Sequence, residues 1–265
     1  MTPSNEPEPA DAGLPEHERR RLFALVTGQR LTELRRTAQL TATQQALFDS
    51  LVARRRQGEP LQYLEGTVQF GPIELAVDHR VLIPRPETEY LLELVGDRPA
   101  PVVVVDLCTG SGALALAMKR IFPGARVIGT DVSADALDVA AANGVANNLV
   151  VEWRQGDLFD ALPPRVAGMV DLVVANPPYV AEGDWTGLPE DVKREPRQAL
   201  VAGPRGTEIA DKVLVEVQRW LAPSGEAWIE VGEDQARDLA NRFLAQVVLD
   251  QYGRDRFVRV EARRV

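Results

Sequence analysis

Val102-Val103-Val104-Val105-Asp106-Leu107-Cys108-Thr109-Gly110-Ser111-Gly112 runs straight into Ala113-Leu114-Ala115-Leu116-Ala117-Met118. A β-branched run, two glycines and then an alanine- and leucine-rich stretch predict strand, tight turn and helix. Gly110 and Gly112 allow the turn and a close ligand approach, and the helix that follows presents unpaired N–H groups. A second strand is expected over Arg126-Val127-Ile128-Gly129-Thr130-Asp131, which ends on a carboxylate placed to take ribose hydroxyls. This spacing fits NAD as well as S-adenosylmethionine, so the loop alone does not separate them. Asp106, read as a carboxylate of the loop, suits a cationic amino-acid ligand end better than a pyrophosphate. Cys108, Thr109 and Ser111 complete the loop, and Asp157 and Leu158, after a third strand, are placed to border an adenine.

Asn176-Pro177-Pro178-Tyr179 follows the apolar run Met169-Val170-Asp171-Leu172-Val173-Val174-Ala175. Asparagine before proline is pushed out of the helical region, and two prolines hold the chain extended. Pro177 has no N–H, so the corner offers acceptors: the Asn176 side-chain carbonyl and a backbone carbonyl, beside the aromatic face of Tyr179. Such a corner suits a planar NH2 group. Asn176, Pro177 and Tyr179 are the candidate catalytic residues; together with Pro178 they form the candidate substrate site, and Asn176 also borders the cofactor.

The chain of 265 residues carries a formal charge of −9 and is 45% apolar. It is long enough for one enzyme-sized domain with a smaller attachment, and no run approaches the roughly 20 apolar residues of a membrane span. The acidity argues against a protein that mainly wraps nucleic acid. One cysteine excludes an internal disulfide, and with two histidines no zinc-like spacing arises, so no metal is expected. Residues 1–13, rich in Pro, Glu and Asp, read as a disordered tail without the features of a secretory or mitochondrial leader.

Between Pro15 and Gly58 nine arginines face four acids. Apolar residues at Leu22, Leu25, Val26, Ala46, Leu47, Leu51 and Val52 recur at helical spacing there, with Thr43 as a cap, so residues 14–62 read as a basic helical domain with a solvated arginine face. Two short alternating runs around Gly71-Pro72 predict a hairpin linker over 63–80. In Pro84-Arg85-Pro86-Glu87-Thr88 two prolines stiffen a segment able to close over a cofactor pocket, with Thr88-Glu89 opening a helix. From 81 to 265 strands and helices alternate. The class is α/β, a doubly wound sheet whose last two strands, joined by too short a connection for a crossover, pair antiparallel at one edge.

Gly58-Glu59-Pro60-Leu61-Gln62-Tyr63, Leu82-Ile83-Pro84-Arg85-Pro86-Glu87-Thr88-Glu89, the glycine loop, Asn176-Pro177-Pro178-Tyr179 and Glu195-Pro196-Arg197-Gln198-Ala199-Leu200 together resemble the release-factor glutamine methyltransferases of the HemK type. The resemblance implies a seven-stranded Rossmann-like class I methyltransferase domain, a small N-terminal helical domain that recognises the substrate, and a β-hairpin linker. It implies a cytoplasmic, monomeric enzyme that uses S-adenosyl-L-methionine to methylate the glutamine of the Gly-Gly-Gln loop in class 1 peptide chain release factors, without membrane or direct nucleic-acid partners. Two related readings use the same residues: a glutamine methyltransferase of a ribosomal protein, and an adenine-N6 nucleic-acid methyltransferase with Tyr179 stacked on a flipped base. Cys108 stands where many members carry glycine, and the backbone there is expected not to need a positive φ.

Overall fold

A computed structural model of the chain describes residues 13–34 and 39–263. The tail expected over 1–13 lies, apart from Gly13, outside the described residues. The chain begins with helices α1 (Glu16–Thr27) and α2 (Ala42–Arg56) and the short α3 (Leu61–Glu65). Leu22 and Val26 of α1 meet Phe48, Leu51 and Val52 of α2 over Leu61 and Leu64, while Leu25 and Leu47 stay exposed. The cap of α2 is Thr41 rather than Thr43. Thr41 Oγ1 accepts from the Gln44 amide at 3.3 Å and Gln44 Oε1 accepts from the Thr41 amide at 3.0 Å, a reciprocal pair that the Thr-x-x-Gln spacing provides.

Arg20, Arg30 and Arg54 are exposed, as a solvated face requires, but Arg21, Arg54 and Arg55 also make ion pairs within this region. Arg55 forks onto Glu18 through Nε at 2.9 Å and Nη2 at 2.8 Å, joining α1 to α2. Arg54 pairs with Glu59, and Arg21 with Glu65. The Glu18 pair lies inside a largely buried seam, where a carboxylate without its partner is costly.

The expected hairpin is β1 (Thr67–Phe70) and β2 (Ile73–Ala76), antiparallel and turned at Gly71-Pro72. Helix α4 (Pro86–Gly96) begins two residues earlier than Thr88, because Pro86 at its first position has its φ preset and needs no donor. The chain then alternates: β3 (Val103–Leu107), α5 (Ala113–Ile121), β4 (Arg126–Asp131), α6 (Ala134–Ala146), β5 (Glu152–Gln155) and β6 (Val170–Ala175). The short β7 (Val180–Ala181), α7 (Arg197–Leu200) and β8 (Val201–Gly203) precede α8 (Glu208–Trp220), β9 (Leu221–Glu230), α9 (Ala236–Phe243), β10 (Gln246–Leu249) and β11 (Asp255–Glu261).

Seven strands form one sheet in the order β10-β11-β9-β6-β3-β4-β5. All neighbours pair in parallel except β11, which runs against both β9 and β10, so the last two strands are antiparallel at one edge as expected. The near-continuous apolar reading of the strands follows from cover on both faces. Val103, Val105 and Leu107 pack with Val213 and Val217 of α8 and Leu239 of α9. Val104 points the other way, into α5 and the hairpin residues Phe70 and Leu75. Strand order reverses between β3 and β6, and in such sheets the crevice beyond the carboxyl ends at that switch is where ligands bind.

Replacing Arg55 by alanine leaves Glu18 desolvated without its fork. Urea denaturation is expected to show a loss of about 2 kcal/mol, with Glu18→Ala plus Arg55→Ala costing less than the sum of the two single changes.

Candidate active site

Register builds the site. Leu107 of β3 pairs with Thr130 of β4 on one side and with Ala175 of β6 on the other, and Ala175 pairs in turn with Ile229 of β9. The next residue on each strand is therefore Cys108, Asp131, Asn176 or Glu230, drawn up in one rank across the carboxyl edge of the sheet. Elements far apart in the chain supply one short line of polar groups.

The glycine loop leaves this rank under constraint. Cys108 has φ 57°, contrary to the expectation that it needs no positive φ. The chain must turn sharply off β3 so that the Thr109 amide reaches the Thr130 carbonyl at 2.9 Å and the Gly110 amide reaches Asp131 Oδ2 at 2.9 Å. A left-handed conformation at a residue bearing Cβ costs on the order of 1–2 kcal/mol, which the surrounding bonds offset. Gly112, at φ 83°, has no room for a side chain: a Cβ there would meet Trp153, Ala140 and Leu116 at 3.0–3.2 Å. Its role is close packing, and it does not line the cavity. Asp106 also differs from its reading as a loop carboxylate. It is the fourth residue of β3, on the α5 face, and its Oδ2 accepts from Thr109 Oγ1 at 2.5 Å and from the Ala115 amide at 3.0 Å. Burial raises its pKa to about 7.

Cys108, Gly110, Asp131, Asp157, Leu158, Asn176 and Pro178 share the walls of one cavity. Asp131 is fixed by the Ser133 amide on Oδ1 as well as by Gly110 on Oδ2, and burial pushes its pKa upward. Thr130 Oγ1 is buried beside it with no hydrogen-bond partner. Asp157 is half exposed and pairs with Lys212, while Leu158 presents an apolar wall. The cavity thus sets the Asp131 carboxylate across from the apolar wall of Leu158. A smaller adjoining cavity shares Cys108, Gly110 and Asn176 and adds Asp106, Thr109, Ser111, Pro84 and Thr88. Arg85 and Tyr179 line a third, apolar cleft, and Leu82 borders all three spaces. Pro177 is buried, and Pro86 and Glu87 line none of these walls.

Asn176 has one satisfied end and one open end. Its Nδ2 donates to Thr88 Oγ1 at 2.8 Å, and Thr88 Oγ1 donates to Glu230 Oε2 at 2.6 Å. Asn176 Oδ1 is buried with no partner. Burial raises the Glu230 pKa to about 7, with the Thr88 hydroxyl and Arg256 pulling the other way, and raises Tyr179 to about 12, so its phenol stays protonated. The proline segment is strapped down: buried Glu195 accepts from the Ile83 amide at 2.8 Å and from Arg85 Nη2. Sequence reasoning assigned no role to Glu195 or Glu230. An acid ending the apolar strand Ala227-Trp228-Ile229-Glu230 was the available signal, since carboxylates rarely close a buried strand without a partner.

The family model described as "PrmC N-terminal domain" matches residues 8–66, and that described as "Methyltransferase small domain" matches residues 86–205. The "Release factor glutamine methyltransferase" of Mycobacterium leprae is 42% identical, over 82% of this chain and 79% of that protein. The chain belongs to the release factor glutamine methyltransferase family. The family member of Mycolicibacterium smegmatis is 43% identical over 70% of this chain and 66% of its own. In fold, the chain is similar to the 16S rRNA N2 G1207 methyltransferase of T. thermophilus, solved with AdoMet and guanosine, at 21% identity and a TM-score of 0.55 over 74% of this chain and 50% of that one. Like the resemblance, these matches make the chain a methyltransferase with the seven-stranded sheet described above. Among the described residues no helix is long and apolar enough to cross a membrane.

Glu230 gives this family member a testable pH signature. Its pKa rises from 4.5 to about 7 on folding, so folding takes up a proton in that window. The stability it contributes is full below about 4.5 and is lost as pH rises through about 7. Calorimetry is expected to show Glu230→Gln melting above wild type at pH 8, with the gain vanishing toward pH 4.5.

Proposed function

We propose that this enzyme transfers a methyl group from S-adenosylmethionine to the side-chain nitrogen of the glutamine in the Gly-Gly-Gln loop of class 1 peptide chain release factors. The observation that carries this reading is Asn176 Oδ1, a buried carbonyl oxygen without a partner at the carboxyl edge of β6. A buried acceptor left open costs about 1–3 kcal/mol and persists where a ligand supplies the missing donor. An N–H of a substrate carboxamide is such a donor.

The residues present fit the methyl donor. Asp131 would hold ribose hydroxyls, Leu158 and Asp157 the base, and the loop from Cys108 to Gly110 the amino-acid end, with the carboxylate of Asp106, a residue of β3 that lines the adjoining cavity, favouring its ammonium group. Bound there, the donor supplies an electrophilic methyl on a cationic sulfur.

An amide nitrogen is a poor nucleophile because its lone pair is delocalised into the carbonyl. Asn176 Oδ1 and the Pro177 carbonyl would accept its two N–H bonds and orient it, and both bonds strengthen as positive charge grows on nitrogen. Once methylated, that nitrogen is acidic enough to release its proton to water, so no strong base is required. Tyr179 and Leu82 would bound the channel through which the glutamine enters. On this reading residues 14–62 engage the release factor, 63–80 connect, and 81–265 carry the chemistry. The enzyme works as a monomer in the cytoplasm, where its substrate acts.

Incubation with labelled S-adenosylmethionine and purified class 1 release factors, followed by peptide mapping, is expected to place the label on that glutamine. Asn176→Ala should keep cofactor affinity and lower turnover by about 30- to 1,000-fold, the equivalent of roughly 2–4 kcal/mol. Label on a nucleobase, or wild-type turnover in the variant, would contradict the reading.

A further inference from the structure

We propose that Thr88 and Glu230 are positioning residues that hold the Asn176 amide in one orientation, with Oδ1 toward the substrate, through a hydrogen-bond chain of fixed direction. The inference rests on Asn176 being the substrate acceptor. The chain runs Asn176 Nδ2–H to Thr88 Oγ1 at 2.8 Å, then Thr88 Oγ1–H to Glu230 Oε2 at 2.6 Å. An asparagine amide has two nearly isosteric ends, and one of them is useless here. Turned over, it would present an NH2 group to an incoming NH2 group, donor against donor.

The direction is set by Glu230. An ionised carboxylate only accepts, so it takes the single hydroxyl hydrogen of Thr88. Thr88 Oγ1 is then left with lone pairs alone on the Asn176 side and must receive an N–H, which forces Oδ1 outward. Thr88 and Glu230 are 3% and 1% exposed, so water does not compete for these bonds. They stand 142 residues apart in the chain and meet because the first turn of α4 lies over the end of β9.

Protonated Glu230 reverses the arrangement. It can donate to Thr88, which then turns its hydroxyl hydrogen toward Asn176 and favours the unproductive orientation. The charged and titratable groups around Glu230 are Arg256 of β11, Arg85 and Glu87 at the start of α4, and the Tyr179 phenol after β6. Arg256 opposes protonation, while Glu87 and burial favour it, so transfer weakens as pH falls through about 7.

The test measures single-turnover methyl transfer to a full-length class 1 release factor, KM for that factor, and S-adenosylmethionine affinity by calorimetry. Thr88→Val, Thr88→Ser, Glu230→Gln and Asn176→Ala are compared with wild type. Thr88→Val is expected to lower transfer about tenfold or more, the loss of one directing bond, with KM and cofactor affinity within about twofold. Thr88→Ser, which keeps the hydroxyl, restores most of the rate. Glu230→Gln, able to donate or accept, transfers more slowly and loses the acid limb of the wild-type profile. Wild-type transfer in Thr88→Val beside an impaired Asn176→Ala overturns the relay alone, whereas wild-type transfer in Asn176→Ala overturns the substrate reading beneath it. Should Thr88→Val not fold, an unchanged acid limb in Glu230→Gln overturns the relay.

Discussion

Parallel strand register is the constraint on which the rest of the molecule depends. Because Thr130, Leu107, Ala175 and Ile229 stand side by side, the sheet delivers Asp131, Cys108, Asn176 and Glu230 to one edge at the reversal of strand order. A slip of one residue in any pairing would turn that strand's side chains to the opposite face and break the rank. The two apolar layers on either side, one built on α8 and α9 and the other on α5 and the hairpin, fix the register by burying alternate residues of each strand. Core packing and site geometry are thus one requirement.

The site also carries costs that packing alone would not select. Cys108 holds a left-handed backbone, Asp106 and Glu230 are carboxylates buried with raised pKa values, and Asn176 leaves a carbonyl oxygen open. Each belongs to the same few ångströms at the strand ends. Strain and desolvation that coincide at a ligand crevice are the marks of a site where function is set against stability. The strap from Glu195 to Ile83 and Arg85 keeps the proline segment against this place, so that Thr88 is presented to Asn176 by a rigid wall.

Much of this was legible in local sequence. Strand, glycine loop and helix announce themselves through β-branched residues followed by Gly110 and Gly112, and the Asn-Pro step after an apolar run points to the strand end at which Asn176 Oδ1 is found without a partner. The antiparallel edge followed from a connection too short to cross over. What escaped was either a finer reading of local rules or a contact made across the fold. Thr41 as cap could have been read from Gln44 three residues on. The positive φ at Cys108 is not legible, because no glycine marks it and the turn is imposed by hydrogen bonds to β4. Asp106 reads as a loop residue from its nearness to Gly110, although strand alternation points it beneath α5. The acid at the end of β9 hints that Glu230 has a partner, but which one is not legible, since Thr88 lies on α4 and only the packing of that helix over the end of β9 brings the two together.

A crystal structure of the enzyme with S-adenosylhomocysteine and a Gly-Gly-Gln-containing release-factor domain tests the central claim most directly. The account predicts the glutamine NH2 group within hydrogen-bond distance of Asn176 Oδ1 while Nδ2 remains on Thr88. A carboxamide bound elsewhere, with Asn176 Oδ1 taken up by the cofactor or by water, would contradict it.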